Sequence, residues 1–404
     1  MSPLRESAPS ATASADKLAM KPLNILLAAL LLLTGCSAAP AQEPAQSTLF
    51  ASSSSQETSP PIQTDPRQEA IHTILSSMTP EEKVGQLFFA RCPARDGATL
   101  ASEYHLGGYV LFGRDFKDKT AQEVQETISS YQAASPIPML IGVDEEGGTV
   151  ARVSANPNLR SERFASPQQL YQEGGMERIL ADAREKDALL HSLGINVNLA
   201  PVADLSTNPE DFMYDRTLGL GARETADYIG ALVSQMEQDG MGSVLKHFPG
   251  YGSNEDTHTG SVLDTRPMDQ FRSEDFLPFQ AGIQAAKDGT AAILVSHNIM
   301  QAADPDLPAS LSPAVHQLLR EELGFQGVIL TDDLVMDAIT LHAVDTPAPV
   351  LAFLAGNDMV ISTDFTTQIP QVLTALEDGT LTMEQIDRAV SQVLSWKYDL
   401  GLLT

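Results

Sequence analysis

Short runs rich in Val, Ile and Leu recur down this chain at 108–112, 138–143, 195–199, 242–245, 291–295, 328–330 and 358–361, separated by longer stretches of helical period. That alternation limits the fold more than any other feature. Strands buried on both faces read as continuous apolar runs, and parallel strands need a crossover, usually a helix, between each pair. Seven to eight such units predict an α/β fold, a (β/α)8 TIM-type barrel with insertions forming a single catalytic domain. A doubly wound open sheet is the alternative that the same pattern allows. Segment 383–403 reads as an amphipathic closing helix, with Trp396 in the core rather than serving as a ligand platform.

The barrel is expected to occupy 65–404. Folding begins near Pro66, and Thr79-Pro80-Glu81-Glu82 supplies an N-cap, a proline at the first helical position and a Glu at N3. Before it, 36–64 is Ala, Ser, Pro, Gln and Thr without Lys or Arg beyond Cys36, a composition suited to a flexible tether and unable to form a core. Region 1–35 reads as a signal peptide. Lys21 precedes an apolar run at 23–33, too short for the roughly 20 residues that span a bilayer. Met20 offers a second start directly before this unit, which would make 1–19 an artefact of start-site choice.

The run ends in Leu33-Thr34-Gly35-Cys36, which resembles the lipobox of bacterial lipoproteins. Cleavage before Cys36 would leave its sulfur lipid-modified, tying an extracytoplasmic protein to the membrane. Only one other cysteine exists, so no disulfide framework is available, and Cys92 in the apolar run 85–92 reads as a buried small hydrophobe. A formal charge of −28 argues against nucleic acid, because phosphate binding needs a concentrated basic surface. A neutral or cationic ligand is expected, and a monomer.

Several apolar runs end directly in polar residues that a structural strand does not need. Asp144 follows Ile141-Gly142-Val143, Lys246-His247 follow Val244-Leu245, His297 follows Val295-Ser296, and Asp332-Asp333 follow Ile329-Leu330-Thr331. In a parallel barrel these ends meet on the rim where active sites sit. Helix capping explains one such residue, not four ends at once.

At these residues the chain resembles the β-N-acetylglucosaminidases of glycoside hydrolase family 3. The resemblance rests on Lys246-His247-Phe248-Pro249-Gly250-Tyr251-Gly252 followed by Asp256-Thr257-His258. It also rests on Asp144-Glu145-Glu146-Gly147-Gly148 with Arg152, on Asp215-Arg216-Thr217-Leu218-Gly219 and on Thr331-Asp332-Asp333-Leu334. It covers essentially the whole folded unit and implies a retaining glycosidase acting on a carbohydrate substrate, with no metal and no organic cofactor.

Carried over residue by residue, the resemblance makes Asp332 the nucleophile of a covalent glycosyl-enzyme. Asp333 competes for that role, helix capping being its other reading. Larger relatives draw an acid from a second domain, which this chain ends too soon to hold, so Asp256 and His258 are expected to form an acid/base dyad. Asp144, Arg216, Lys246 and His247 would hydrogen-bond the terminal sugar, while His297 is pocket wall or structure. Tyr251 stands where relatives usually carry histidine, in a loop one residue shorter than theirs. Rival readings are a phosphorolytic enzyme, a β-glucosidase or xylosidase of the same family and, from another class, a solute-binding lipoprotein of a transporter. Extracytoplasmic tethering makes cell-wall glycan fragments the leading substrate source.

Overall fold

The computed structural model describes residues 65–254 and 262–404. Eight parallel strands form its core: β1 (Phe88–Arg91), β2 (Gly108–Leu111), β3 (Leu140–Val143), β4 (Val197–Asn198), β5 (Gly242–Phe248), β6 (Ala291–Val295), β7 (Ile329–Thr331) and β8 (Val360–Ser362). They pair in the order β7-β6-β5-β4-β3-β2-β1-β8. A parallel bridge between Leu330 and Met359 closes the ring, with the Thr331 amide donating to the Met359 carbonyl at 3.3 Å. The predicted barrel is therefore the observed fold.

Each of the seven sequence runs carries a strand, shifted by up to three residues at the ends. The eighth strand, β1, lies in the 85–92 run that contains Cys92. Two shifts matter. The strand foreseen at 242–245 continues through Lys246 and His247 to Phe248, and the one foreseen at 195–199 shrinks to Val197–Asn198. Helices Ala121–Ala134, Pro167–Leu193, Ala222–Gln238 and Phe276–Ala285 are among the crossovers on the outer face. The capping box is present: Thr79 accepts from the Glu82 amide while Glu82 accepts from the Thr79 amide, opening helix Pro80–Gln86.

Strand alternation places side chains inside or outside. Tyr109 meets Tyr131 of an outer helix edge to face, and Phe88 meets Phe353 of another. Phe89 points inward, where its ring occupies the space a Cβ on Gly142 would need, 2.4 Å from that position. Closing helix Met383–Asp399 buries Trp396, whose indole N–H donates to the Thr290 carbonyl at 2.9 Å. Cys92 is buried against the Tyr131 hydroxyl, and burial pushes its thiol up to about 11, so it packs rather than reacts.

Candidate active site

Strand ends on the carboxyl side of the barrel bring most of the expected residues together. Asp144 directly follows β3, Lys246 and His247 lie within β5, and Asp332 directly follows β7. Arg216 arrives on a short 3-10 turn, Tyr214–Arg216, between β4 and β5. Asp256 and His258 fall outside the described residues, as does Cys36.

At the centre is a buried charge cluster. The Lys246 ammonium donates to Asp144 Oδ1 at 2.6 Å and meets Glu146 Oε1 at 2.7 Å. Arg216 grips the same Glu146 in a two-pronged pair, Nε to Oε2 at 2.9 Å and Nη2 to Oε1 at 2.7 Å. Burial by itself would raise the Glu146 carboxyl, but Lys246 and Arg216 outweigh it and hold Glu146 well below the usual carboxylate range. Burial opposes the charge on Lys246 as well, yet Asp144 and Glu146 leave its ammonium above its ordinary value. Glu146, Lys246 and Arg216 are thus charged at neutral pH. The cluster is not saturated, because Lys246 has three N–H donors and Arg216 five, so donors remain for a ligand.

His247 is set by a residue that reading strand ends does not find. Buried Asp204 accepts from the His247 amide at 3.0 Å and from the Tyr251 amide at 2.7 Å, and its Oδ2 lies 2.7 Å from His247 Nδ1. With Nδ1–H directed at Asp204, Nε2 is left as the acceptor facing Arg216 Nη2 at 3.4 Å. Asp204 was missed because it stands five residues past its apolar run. The signal lies in the extended chain beyond short β4, where Val202 bridges Lys246. Tyr251 is buried edge-on against the His247 ring, with centroids 5.4 Å apart.

The loop after β5 is held from behind. Gly250 has φ of +117°, and a Cβ there would stand 2.3 Å from Asp275 Oδ1. Arg266 bonds the Gly250 carbonyl at 3.2 Å and pairs with Asp264 and Asp275. Burial pushes Asp275 up to about 6 despite that arginine. Glycine in the Phe-Pro-Gly segment is therefore required by both conformation and contact.

Asp332 and Asp333 differ in surroundings. Asp333 accepts from the amides of Val335 and Thr363 at 3.3 and 3.0 Å and from the Thr363 hydroxyl, which ties the end of β7 to the loop after β8. This is a stitching role rather than a helix cap. Asp332 Oδ1 accepts from the Asp333 amide at 2.8 Å. His297 is buried between the Ser310 hydroxyl, 2.8 Å away, and the Asp333 carbonyl, 3.1 Å away, and so belongs to the wall. Glu145 is buried and accepts from the amides of Arg152, Val153 and Ser154 and from the Ser154 hydroxyl. Glu146, held as a carboxylate by two cations, has no proton to give up.

An eight-stranded parallel barrel that gathers carboxylates, a lysine, an arginine and an oriented histidine at its carboxyl end is an α/β-barrel hydrolase in outline. Residues 79–396 match the glycosyl hydrolase family 3 N terminal domain, and the chain belongs to that family. It is a glycoside hydrolase. A beta-hexosaminidase of Xanthomonas campestris pv. campestris is 36% identical over 262 residues, covering 63% of this chain and 76% of the relative. Beta-hexosaminidase LpqI of Mycobacterium tuberculosis is 31% identical over 335 residues, 79% of this chain and 83% of the relative. Among solved structures, a family 3 beta-N-acetylglucosaminidase from Paenibacillus sp. superposes with a TM-score of 0.74 at 31% identity over 81% of this chain. The present chain spans 63% of the length of that protein.

Proposed function

We propose that this chain hydrolyses terminal β-linked N-acetylhexosamine, N-acetylglucosamine above all, with retention of configuration. The observation that carries the reading is the Asp144–Lys246–Glu146–Arg216 ion-pair cluster beside an Asp204-oriented His247, on the same rim as Asp332. Its cations are already neutralised, so the pocket suits a neutral polyol, with Asp144 accepting from sugar hydroxyls and Lys246, Arg216 and His247 donating or accepting beside it. The names of the relatives point the same way.

In this mechanism Asp332 attacks the anomeric carbon and breaks its bond to the leaving oxygen, forming a glycosyl ester. His258, paired in this mechanism with Asp256, gives its proton to that oxygen and then removes one from the incoming water, whose oxygen attacks the anomeric carbon, breaks its bond to Asp332 and releases the sugar. Competition of Asp333 for the nucleophile's role is disfavoured by its three bonds to 335 and 363. Activity on aryl N-acetyl-β-glucosaminides, set against aryl glucosides and xylosides, tests the reading, and inactivity on the first would overturn it.

General acid catalysis matters most for poor leaving groups. His258→Ala should therefore lose on the order of 10²–10⁴-fold on unactivated sugar leaving groups and far less on nitrophenol. An equal loss on every substrate would mark His258 as a positioning group instead.

The substrate source we propose is cell-wall glycan met outside the cytoplasm, with the enzyme tethered through Cys36. Among the described residues no helix is long and apolar enough to cross a membrane. Cys36→Ser should move the mature protein from the membrane fraction to the soluble one. Retention of the processed variant in membranes would count against the anchor.

A further inference from the structure

The cations that serve the sugar pocket are paired with carboxylates, and so are Arg266 with Asp264 and Asp275 and Arg320 with Asp358. Arg91 is not. It ends β1, and alternation decides where it goes: Phe88 meets outer Phe353, Cys92 meets outer Tyr131, and Phe89 between them faces the interior. Arg91 shares the face of Phe89 and so points into the barrel mouth. There its guanidinium lies over the ring of Phe112, which directly follows β2, at 4.2 Å from the centroid.

Its Nε is shut off from solvent with no hydrogen-bond partner, and no carboxylate among the described residues pairs with it. Asp115 feels its charge but is engaged by the Phe112 amide at 2.8 Å and by Arg114 at 3.6 Å. Arg152, on the loop that follows β3, repeats the pattern with a buried, unpartnered Nε. Arg91 as a whole is only half-buried, so its Nη N–H groups stay within reach of a ligand although Nε is covered, and an oxyanion is the acceptor that a planar guanidinium takes best. Stacking on Phe112 holds the plane of the guanidinium and leaves its Nη side open.

We propose that Arg91, stacked on Phe112, forms an oxyanion subsite at the barrel mouth that takes a carboxylate or phosphate group. As part of substrate recognition it rests on the hexosaminidase reading; as an anion site it does not.

Two arms test it. Inorganic phosphate is titrated into the wild type and Arg91→Gln at constant ionic strength, following the melting temperature. In parallel, kcat/KM is compared for the 4-(carboxymethyl)phenyl N-acetyl-β-glucosaminide and its neutral carboxamide twin. The wild type should prefer the carboxylate about tenfold, and Arg91→Gln should erase that preference and weaken phosphate by about tenfold. Arg91→Met keeps the stem against Phe112 and serves if the glutamine variant does not fold. Loss of the substrate preference places the anion on the glycoside, whereas loss of phosphate binding alone identifies the free ion as the ligand. Unchanged values in both arms overturn the subsite. A wild type that cleaves neither glycoside would remove the hexosaminidase reading, while the phosphate arm would still decide for or against Arg91.

Discussion

Asp332→Asn is expected to cut kcat by on the order of 10⁴-fold or more while changing unfolding free energy by less than roughly 1 kcal/mol. Asparagine keeps the shape and still accepts from the Asp333 amide, so the end of β7 stays as it is. What disappears is the charge that attacks the anomeric carbon and stabilises the positive charge developing there. Asp333→Asn should behave in the opposite sense, losing stability because its amide nitrogen cannot accept from the Thr363 hydroxyl, more than it loses chemistry. Mass spectrometry after reaction with a slow fluorinated N-acetylglucosaminide checks the assignment directly. The sugar should be found on the peptide that carries Asp332, and a label on another carboxylate would sink the proposal.

Glu146→Gln should be among the most destabilising single changes in the molecule, costing roughly 3–5 kcal/mol in chemical denaturation at pH 7. The side chains of Glu146 and Lys246 are 2% and 3% exposed, and that of Arg216 19%. Removing the anion leaves two cations with only Asp144 between them, and breaking one side of a buried pair costs far more than forming the pair gains. The pH dependence has a definite sign. Because the folded state holds the Glu146 carboxyl below its unfolded value, its stabilisation is complete above the unfolded pKa of 4.5 and is lost as pH falls through the depressed folded value. The gap between wild type and variant should therefore be full at neutral pH and narrow on acidification below that pKa. A constant gap across pH, or a cost under 1 kcal/mol, would mean that the cluster does not depend on this charge.

The barrel was legible because its signal is local. An apolar run of three to six residues followed by a helical period repeats often enough to count, and the residue just beyond a run falls on the rim whatever the rest of the chain does. That rule found Asp144, Lys246, His247 and Asp332. It failed for Asp204. Past β4 the chain stays extended as far as Val202, so Asp204 reaches the rim without standing at a run's end. Read as sequence, Glu145 and Glu146 are neighbours in one motif. In the fold Glu145 anchors its own loop and Glu146 is the shared counter-charge of Lys246 and Arg216.

By itself, then, the sequence determined the architecture, the rim, the family and the residue types gathered there, since each depends on spacing within one unit or on a short motif. Only the tertiary structure decided which carboxylate does what. Lys246 meets Asp144 across 102 positions, Arg216 meets Glu146 across 70, and His247 meets Asp204 across 43. Those partnerships are made by closing the barrel, and no spacing in the chain encodes them. The same holds for Arg91, an ordinary arginine beside an apolar run until strand alternation turns it into the mouth and leaves it without a counter-charge.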